Sequence, residues 1–599
     1  MLVGKFGMVL QFFPQYCLRE RGSAVMSVLD KMMGVNVLYI IFGSTVIYLI
    51  AYFIYGNFLA KKVFCLDDKK ITPAIELENG VDYVPISKNM LMGQHFSAIA
   101  AAGPVNGPII AAVMFGWAPA LAWVLLGAIL IGGVHDMGSL VASIRHKARS
   151  ITDVIRVNVS NRAWVLFMLF IWIALVYIMV AFTDITASSF VGNVVLENDQ
   201  TVLGAGIASS SLLYLILAIV MGMVMKYGNM SEGKATIIFL PLVAVAIWCG
   251  QYLPITLPGG YEVAMQQKIW GVIILLYCLV ASVVPMWALL QPRGALGGYF
   301  LYAALGVAAI GIAFGGFTIQ YPAFIAFNTP GGMITPILFI TIACGACSGF
   351  HALCASGTTS KQLKKESDAK AIGYGGMLLE GMVACVSIAC VMILTTNSEI
   401  LKKAPNFIYA QGIGSFMELI GAPIVFGISF GLMAFTTFVY DTLDICTRLG
   451  RYIIEELTGL KGVFGAVLGA SITTAVPIFF LFQTMALPDG TIIPSWRLFW
   501  NTFGASNQLL AALALIGITV WLKATSKSPN IWMVSFFPAV FMFIMSVWAL
   551  GIAVYDGWVL KKGHWVLPYV SAILIALAIL VAVEAVIAIR SDKKVAATA

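Results

Sequence analysis

Long runs of apolar residues recur along this chain from Val35 to Val581, and they extend over 18 residues or more. About 20 apolar residues in a helix cross the hydrocarbon core of a bilayer. A helix also satisfies its own backbone hydrogen bonds, which lipid cannot do. The composition agrees, because 60% of the residues are hydrophobic and 10% are charged, against roughly 25% charged in soluble proteins. The sequence therefore predicts an all-α polytopic membrane protein.

About fifteen membrane-spanning helices are predicted from these runs. A further apolar piece near 405–420 is either a re-entrant or interfacial helix or a sixteenth span. The predicted spans cover 35–60, 90–115, 117–142, 163–185, 203–225, 235–254, 269–290, 297–318, 334–357, 373–396, 421–445, 462–485, 497–522, 531–554 and 567–590.

The lysines and arginines give this arrangement an orientation. When the spans are followed in order, 25 of the 35 Lys and Arg residues fall on one side and 10 on the other. Cytoplasmic loops carry the excess of positive charge, so we expect the N-terminus outside and the C-terminus in the cytoplasm. The net charge of +8 comes from these loops. It forms no basic stripe interleaved with aromatic residues, so we expect membrane lipids and no nucleic acid as partners.

One predicted span is interrupted in its middle by Gly103-Pro104 and Gly107-Pro108, with Asn106 between them. Prolines and glycines free backbone groups at membrane depth, which is tolerated only where protein lines a polar cavity. Interrupted spans of this kind mark the binding sites of transporters. We therefore predict that Gly103, Pro104, Asn106 and Gly107 bind substrate, with an anionic group at the positive end of this half-helix.

A second interrupted segment, 342–362, is rich in Gly, Ser and Thr where hydrocarbon-facing residues are expected. It runs in the opposite direction to the first, as the two halves of an inverted repeat do. Small polar residues also allow helices to pack closely, so cavity lining and simple packing both remain open. The further substrate candidates, which include two amides in the thirteenth span, are Ser348, Gly349, Ser356, Thr358, Thr359, Asn507 and Gln508.

Ionisable residues inside the predicted spans are candidates for ion or proton coupling, because charge inside a membrane is costly. Glu380 is the first choice, since it lies well inside its span with no cation nearby in sequence, and we expect it to be buried and unpaired. Histidines near the breaks are the second choice, because histidine titrates near neutral pH. The full set is Glu380, His95, His351, His135, Asp136, Asp184 and Asp441.

Several carboxylates fall near predicted span ends, where water can reach them: Asp136, Asp184, Asp441, Asp444 and Glu584. Asp444 follows Asp441 by three residues, and Arg448 follows Asp444 by four. Oppositely charged residues four apart on a helix can form an ion pair. The spacing therefore predicts a structural pair between Asp444 and Arg448.

Energy for transport is not supplied by a nucleotide, because the sequence holds no G-x-x-x-x-G-K-[ST] loop and no loop long enough for an ATPase domain. A secondary active importer of small organic nutrients, driven by protons or sodium, is the leading interpretation. A channel and a membrane-embedded enzyme or sensor are the alternatives. We expect no catalytic residues and no cofactor. We also expect no metal, since the Cys and His residues of 344–354 are predicted to lie along one helix and could not surround one zinc ion. The sequence specifies no oligomeric state.

Several long motifs resemble the carbon starvation protein A (CstA) family of bacterial inner-membrane transporters. They are AAGPVNGP, GGVHDMGSL, ACGACSGFHALCASGTTSKQL, GYGGMLLEG, TTFVYDTLD and NTFGASNQLLAAL. The resemblance covers residues 33–590 and implies import of peptides during carbon starvation or proton-coupled symport of pyruvate.

The resemblance also implies a division of the chain into two transmembrane regions. The expected parts are a tail at 1–34, an N-terminal region at 35–396, a C-terminal region of about five helices at 397–590, and a cytoplasmic tail at 591–599. Kinship to the amino acid–polyamine–organocation transporters, with their broken helices and inverted repeats, follows by analogy only.

Overall fold

The structure, a computed structural model, describes residues 32–80, 83–195, 200–460, 462–483, 485–486, 492–526 and 528–590. Helices form almost all of it, which confirms the predicted all-α membrane fold. The expected tails at 1–34 and 591–599 lie outside the described residues, apart from 32–34.

The first half of the chain contains the first broken segment and ends before the second. Its helices are α1 (Val37–Val63), α2 (Pro73–Glu76), α3 (Lys88–Ile99), α4 (Gly103–Phe115), α5 (Trp117–Arg145), α6 (Ile151–Asn158), α7 (Asn161–Val191), α8 (Gly204–Tyr227), α9 (Glu232–Gly250), α10 (Val263–Val283) and α11 (Leu290–Phe314).

The second half begins with the other broken segment. Its helices are α12 (Ile334–Thr341), α13 (Gly349–Gly357), α14 (Lys370–Met392), α15 (Pro405–Glu418), α16 (Ile424–Thr458), α17 (Gly462–Leu481), α18 (Ser495–Thr525), α19 (Met533–Trp558) and α20 (Val566–Arg590). Three antiparallel hairpins lie in the loops: Val194–Val195 with Thr201–Val202, Asn328–Thr329 with Gly332–Met333, and Met485–Ala486 with Ile492–Ile493.

Thirteen helices in the described part of the chain are long and apolar enough to cross a membrane. The pair α3 and α4, bent by 46°, is a fourteenth if the two helices form one broken span and not a re-entrant loop. The remaining predicted span, 334–357, consists of α12 and α13 joined by the non-helical residues 342–348. The piece near 405–420 is α15, whose 14 residues extend only about 21 Å at 1.5 Å per residue. It is too short to cross the hydrocarbon core.

Both interruptions occur where the sequence disfavours a continuous helix. Pro104 lies in the first turn of α4, where the missing N–H leaves no intrahelical bond unmade. Gly116 separates α4 from α5 with a φ of 96°, a conformation that favours glycine. In the second segment, the helix ends at Thr341 and resumes only at Gly349.

The interrupted segments lie at the centre of the bundle. For α18 and α14, 94% and 89% of the apolar core of each span is buried, against 22% for α10 and α20. The helices α14 and α18 are therefore central, and α10 and α20 are peripheral. Helix α18 packs on both α7 and α13, so the expected N- and C-terminal regions form contacts with each other. Their boundary at 397 stays a prediction.

Candidate transport site

A buried histidine with carboxylates on both sides lies where α5, α13 and α14 meet. Nδ1 of His351 is 2.8 Å from Oδ2 of Asp136, and Nε2 of His351 is 3.1 Å from Oε2 of Glu380. The first contact is a hydrogen bond, whereas the second is at ion-pair distance without hydrogen-bond alignment. None of the three side chains has any solvent exposure. A doubly protonated imidazole has one N–H for each of the two carboxylates.

Close helix packing brings these three side chains together. A Cβ added at Gly133 of α5 would lie 2.4 Å from the ring of Tyr374 of α14. One added at Gly373 would lie 2.7 Å from Cα of Met137. Both helices also contain a π-helical turn shortly before the carboxylate, at Ala128–Gly132 and Lys370–Gly375. Such turns are frequent at functional sites.

The expectation that Glu380 is unpaired is wrong, because His351 from another segment contacts it. No residue close in sequence reveals this partner. Its expected burial is confirmed. His135 joins the same group through Nδ1, which is 2.7 Å from Oδ1 of Asp136. We call Asp136, His135, His351 and Glu380 the histidine cluster.

His95 lies beside the histidine cluster without bonding to it. Its Nδ1 is 2.9 Å from the hydroxyl of Thr359, and its Nε2 has no hydrogen-bond partner among the described residues. A Cβ added at Gly376 of α14 would lie 3.2 Å from Cδ2 of this ring. The two predicted residues His95 and Thr359 are therefore neighbours, on the side of α14 that leads to the cluster.

The two broken segments touch each other at glycines. A Cβ added at Gly103 would lie 2.2 Å from Sγ of Cys344, and one at Gly107 would lie 2.4 Å from the carbonyl oxygen of Thr341. Pro104 and Asn106 are fully buried beside these contacts. In this conformation the segments are closely packed, so substrate binding here stays a prediction that requires them to separate.

Asn106 is the residue of this contact that packing alone does not explain. It has no solvent exposure, and neither polar atom of its amide has a hydrogen-bond partner within the part of the chain that the structure describes. A buried amide without partners is costly. The site therefore has unused capacity for one polar group.

The second break is held open by an amide from α18. Asn507 donates to the hydroxyl of Ser348 at 3.0 Å and accepts from the backbone N–H of Phe350 at 3.1 Å. A Cβ added at Gly349 would lie 2.5 Å from the carbonyl oxygen of Asn507. Ser348, Gly349 and Asn507 are thus brought together, and Asn507 satisfies backbone that the break leaves free.

The remaining substrate candidates are separate and are used structurally. Gln508 donates to the carbonyl oxygen of Phe339 at 2.5 Å. The Ser356 hydroxyl accepts from the N–H of Ile151, the first residue of α6, at 2.9 Å. Thr358 donates to a carbonyl oxygen of its own helix turn at 3.0 Å. These three side chains support helix ends and the second break.

Asp184 is buried and caps a neighbouring helix. Its Oδ2 accepts from the backbone N–H of Trp496, in the first turn of α18, at 2.7 Å, and its Oδ1 accepts from Gln267 at 2.9 Å. A carboxylate at a helix N-terminus is favoured by the helix dipole. The expectation that water reaches carboxylates near span ends is wrong for four of the five. The exposed fractions are 0% for Asp136, 3% for Asp184, 3% for Asp441 and 2% for Asp444, whereas Glu584 is partly exposed.

A second ionic group forms around Arg293 of α11. Its Nη1 lies 2.5 Å from Oδ2 of Asp444, and its Nε lies 3.3 Å from Oδ1 of Asp441. The hydroxyl of Tyr277 bonds both Arg293 and Asp444, and Ser97 donates to Asp441. We call Arg293, Asp441, Asp444 and Tyr277 the arginine cluster.

The predicted pair between Asp444 and Arg448 is wrong. Arg448 donates instead to the carbonyl oxygens of Ala281 and Val284, at 2.9 Å each. These carbonyls lie at the C-terminal end of α10, where backbone acceptors lack helical partners and a cation is favourable.

Arg293 is a functional candidate that the sequence analysis did not identify. It lies between the predicted spans 269–290 and 297–318 and was therefore taken as a loop residue in the Lys and Arg count. It is 2% exposed. One signal in the sequence could have found it, because Arg293 is the only Asp, Glu, Lys or Arg between Lys268 and Lys361. A single charge in so long an apolar stretch needs a buried partner.

Comparison with known proteins identifies relatives over most of the chain. The family model described as "Carbon starvation protein CstA" matches residues 36–406 and 395–549. The peptide transporter CstA of Helicobacter pylori is 31% identical over 584 residues, which cover 86% of this chain and 81% of that protein. The pyruvate/proton symporter BtsT of Escherichia coli is 27% identical over 633 residues, which cover 92% and 86%.

Among solved structures, a manganese transporter of Eremococcus coleocola covers 86% of this chain and 99% of its own. The TM-score is 0.42 and the sequence identity is 13%.

Proposed function

Because this chain belongs to the carbon starvation protein CstA family, we propose that it imports short peptides or pyruvate by proton symport when carbon is scarce. The names of its relatives support both substrates, since one is a peptide transporter and another a pyruvate/proton symporter. The Lys and Arg distribution supports an inner-membrane orientation with the N-terminus outside and the C-terminus in the cytoplasm.

The histidine cluster is the observation that carries the proposal for protons. It links a broken segment, through His351 of α13, to carboxylates on α5 and α14. Loss or gain of one proton there changes the charge that holds the three helices together. A change of this kind at a packed junction biases one arrangement of helices against another. Alternating access needs such a link between protonation and helix position.

Transport by the purified, reconstituted protein tests this function. Labelled pyruvate, amino acids and dipeptides would be offered to proteoliposomes with a proton gradient, with a sodium gradient at fixed pH, and with neither. We expect accumulation of pyruvate or dipeptides with the proton gradient, and counterflow without a gradient. Accumulation that follows sodium would refute proton coupling, and flux without counterflow would indicate a channel.

Glu380→Gln tests the role of the histidine cluster in the same vesicles. Glutamine keeps the shape of the side chain but cannot titrate, so gradient-driven accumulation should disappear while exchange of internal for external substrate continues. Glu584→Gln is the matched control, because Glu584 is a carboxylate near a span end whose contact is the hydroxyl of Ser160 at 2.8 Å. Normal accumulation by Glu380→Gln would make Glu380 a structural residue.

A further inference from the structure

A cavity of about 290 Å³ lies directly beside the arginine cluster. Its walls come from α7, α8, α10, α11 and α16, and Arg293 is the one charged residue among those that line it in the described part of the chain. Aromatic rings surround this charge, with those of Tyr277 and Tyr440 centred 5.5 and 5.0 Å from the guanidinium carbon. An apolar cavity with one fixed cation is suited to a small organic anion.

The guanidinium of Arg293 keeps one nitrogen without a hydrogen-bond partner among the described residues. Although Arg293 is buried, Asp441 approaches this nitrogen, Nε, only to 3.3 Å. Asp444 is held more closely, at 2.5 Å from Nη1 and 2.9 Å from the hydroxyl of Tyr277. Each carboxylate also accepts from one hydroxyl, Asp441 from Ser97 and Asp444 from Tyr277. The contact of Asp441 with Arg293 is the longer one, so an incoming anion displaces Asp441 more readily from the cation.

The charge of the cluster links anion binding to a proton. One guanidinium and two carboxylates have a net charge of −1 when all are ionised. A substrate carboxylate would change this to −2 among side chains that are at most 3% exposed, which is strongly unfavourable. One proton on Asp441 removes the added charge. The anion and the proton therefore favour each other's binding.

Asp441 has access to a second space on its other side. With His95 and Thr359 it lines a void of about 10 Å³, close to the minimum for one water molecule. Its other titratable or charged neighbours are Arg293, Asp444 and, through a shared contact at Gly297, Tyr214. The arginine cluster thus separates the larger cavity from a small void that leads towards His95.

We propose that this cavity binds the carboxylate of the transported substrate on Arg293, and that Asp441 takes up one proton in the same step. The ligand class is a small organic acid or the terminal carboxylate of a short peptide, and 290 Å³ suits ligands of this size. The cavity meets the end of α7 at Phe190 and the start of α8 at Ala208, the side that the Lys and Arg distribution assigns to the outside. The inference rests on the proposed function and adds the position of its substrate.

Binding to the full-length protein in detergent tests the site directly, with tryptophan fluorescence as the signal. The probes are pyruvate against pyruvamide, and dialanine against dialanine amide. We expect the two carboxylates to bind and the two amides, which lack a carboxylate, not to bind. Arg293→Lys keeps the charge but loses the planar donor geometry, so it should weaken carboxylate binding by about tenfold or more.

Proton uptake tests the role of Asp441. Wild-type protein in weak buffer should take up one proton for each carboxylate bound, and its affinity should fall by roughly tenfold per unit of pH at high pH. Asp441→Asn should bind without proton uptake and without this dependence on pH. Glu584→Gln, at a carboxylate outside the arginine cluster that accepts from the hydroxyl of Ser160, is the matched control and should keep both.

A second variant leaves the charges in place. Ser211→Trp fills the cavity from α8 and should abolish binding, whereas Ile219→Trp on the outer face of the same helix should not. Equal carboxylate affinity in wild type, Arg293→Lys and Ser211→Trp would overturn the site, even if the protein transports. If wild type neither transports nor binds a carboxylate, the proposed function fails together with the site.

Discussion

The histidine cluster and the arginine cluster share one arrangement, in which a buried cation lies between two carboxylates. They differ in the cation. An arginine keeps its charge at every physiological pH, whereas a histidine gains and loses a proton in this range. They differ also in their surroundings, because a cavity adjoins Arg293 and packed helices surround His351.

This difference separates two tasks that a proton symporter must perform. A permanent cation can exchange one anion for another, so the arginine cluster is suited to hold a substrate carboxylate. A cation that can disappear changes the attraction between helices, so the histidine cluster is suited to link protonation to helix position. His95 lies between the two, in contact with the void beside Asp441 and with α14.

The largest effect is expected from removal of the permanent cation. Arg293→Gln leaves two buried carboxylates without their cation, and the loss of one member of a buried ion pair costs about 3–5 kcal/mol of stability. The thermal midpoint of the purified protein should fall sharply. Adding Asp441→Asn and Asp444→Asn to this variant should restore much of the loss, because no unpaired charge remains. If the variant with Arg293→Gln alone were as stable as wild type, the arginine cluster would not be ionised.

Removal of the titratable cation should affect accumulation more than stability. In His351→Gln, the internal substrate concentration reached under a proton gradient should be no higher than the external concentration, while exchange of internal for external substrate continues. Asp136 keeps its contact with His135 in this variant, so we expect a smaller loss of stability than for Arg293→Gln. His146→Gln is the control, since burial lowers the pKa of His146 below its usual value and leaves it neutral at pH 7. Equal accumulation by both variants would remove His351 from the mechanism.

A carboxylate that belongs to neither cluster should affect stability alone. Asp184→Ala removes the cap of α18, and the loss of such a cap typically costs about 1–2 kcal/mol. The thermal midpoint should fall moderately and accumulation should continue for the folded fraction. A folded Asp184→Ala protein that no longer accumulates substrate would instead place Asp184 among the coupling residues.

An exposed carboxylate outside the membrane should have the smallest effect. Hydrogen bonds from the backbone N–H and hydroxyl of Ser367 lower the pKa of Asp68 below its usual value. Its stabilising contribution is therefore present at neutral pH and is lost as the pH falls through this lowered pKa. Asp68→Ala should change stability at pH 7 by no more than about 0.5 kcal/mol. The thermal midpoints of the variant and wild type should converge as the pH falls below this lowered pKa, and a difference that grows on acidification would contradict this sign.

The spans and their interruptions could be predicted because they follow from local chemistry. Apolar length defines a span, and the break at 100–102 falls directly before the predicted Gly103-Pro104. The predicted interruption at Gly107-Pro108 is wrong, because both residues lie inside α4. For the apolar piece near 405–420 the sequence left a short helix and a sixteenth span open, and the 14 residues of α15 decide for the short helix.

The partners of the charged residues could not be predicted in the same way. Whether Asp444 meets Arg448 or Arg293 depends on how α16 is rotated against α10 and α11, which no local pattern encodes. The same holds for Glu380 and His351, which belong to α14 and α13. A residue's burial can be inferred from its own segment, but its partner depends on the packing of several segments.

The contact between the two breaks limits how the centre of the molecule can move. At Gly103 and Gly107 there is room for a hydrogen atom but not for a methyl group. Closer approach of the two segments is blocked by steric overlap, and separation would leave a void in a tightly packed interior. Small displacements of one segment are therefore transmitted to the other. Alanine at either glycine would hold the two segments apart. The absence of a side chain at Gly103 and Gly107 therefore allows the two broken segments to move together as one body.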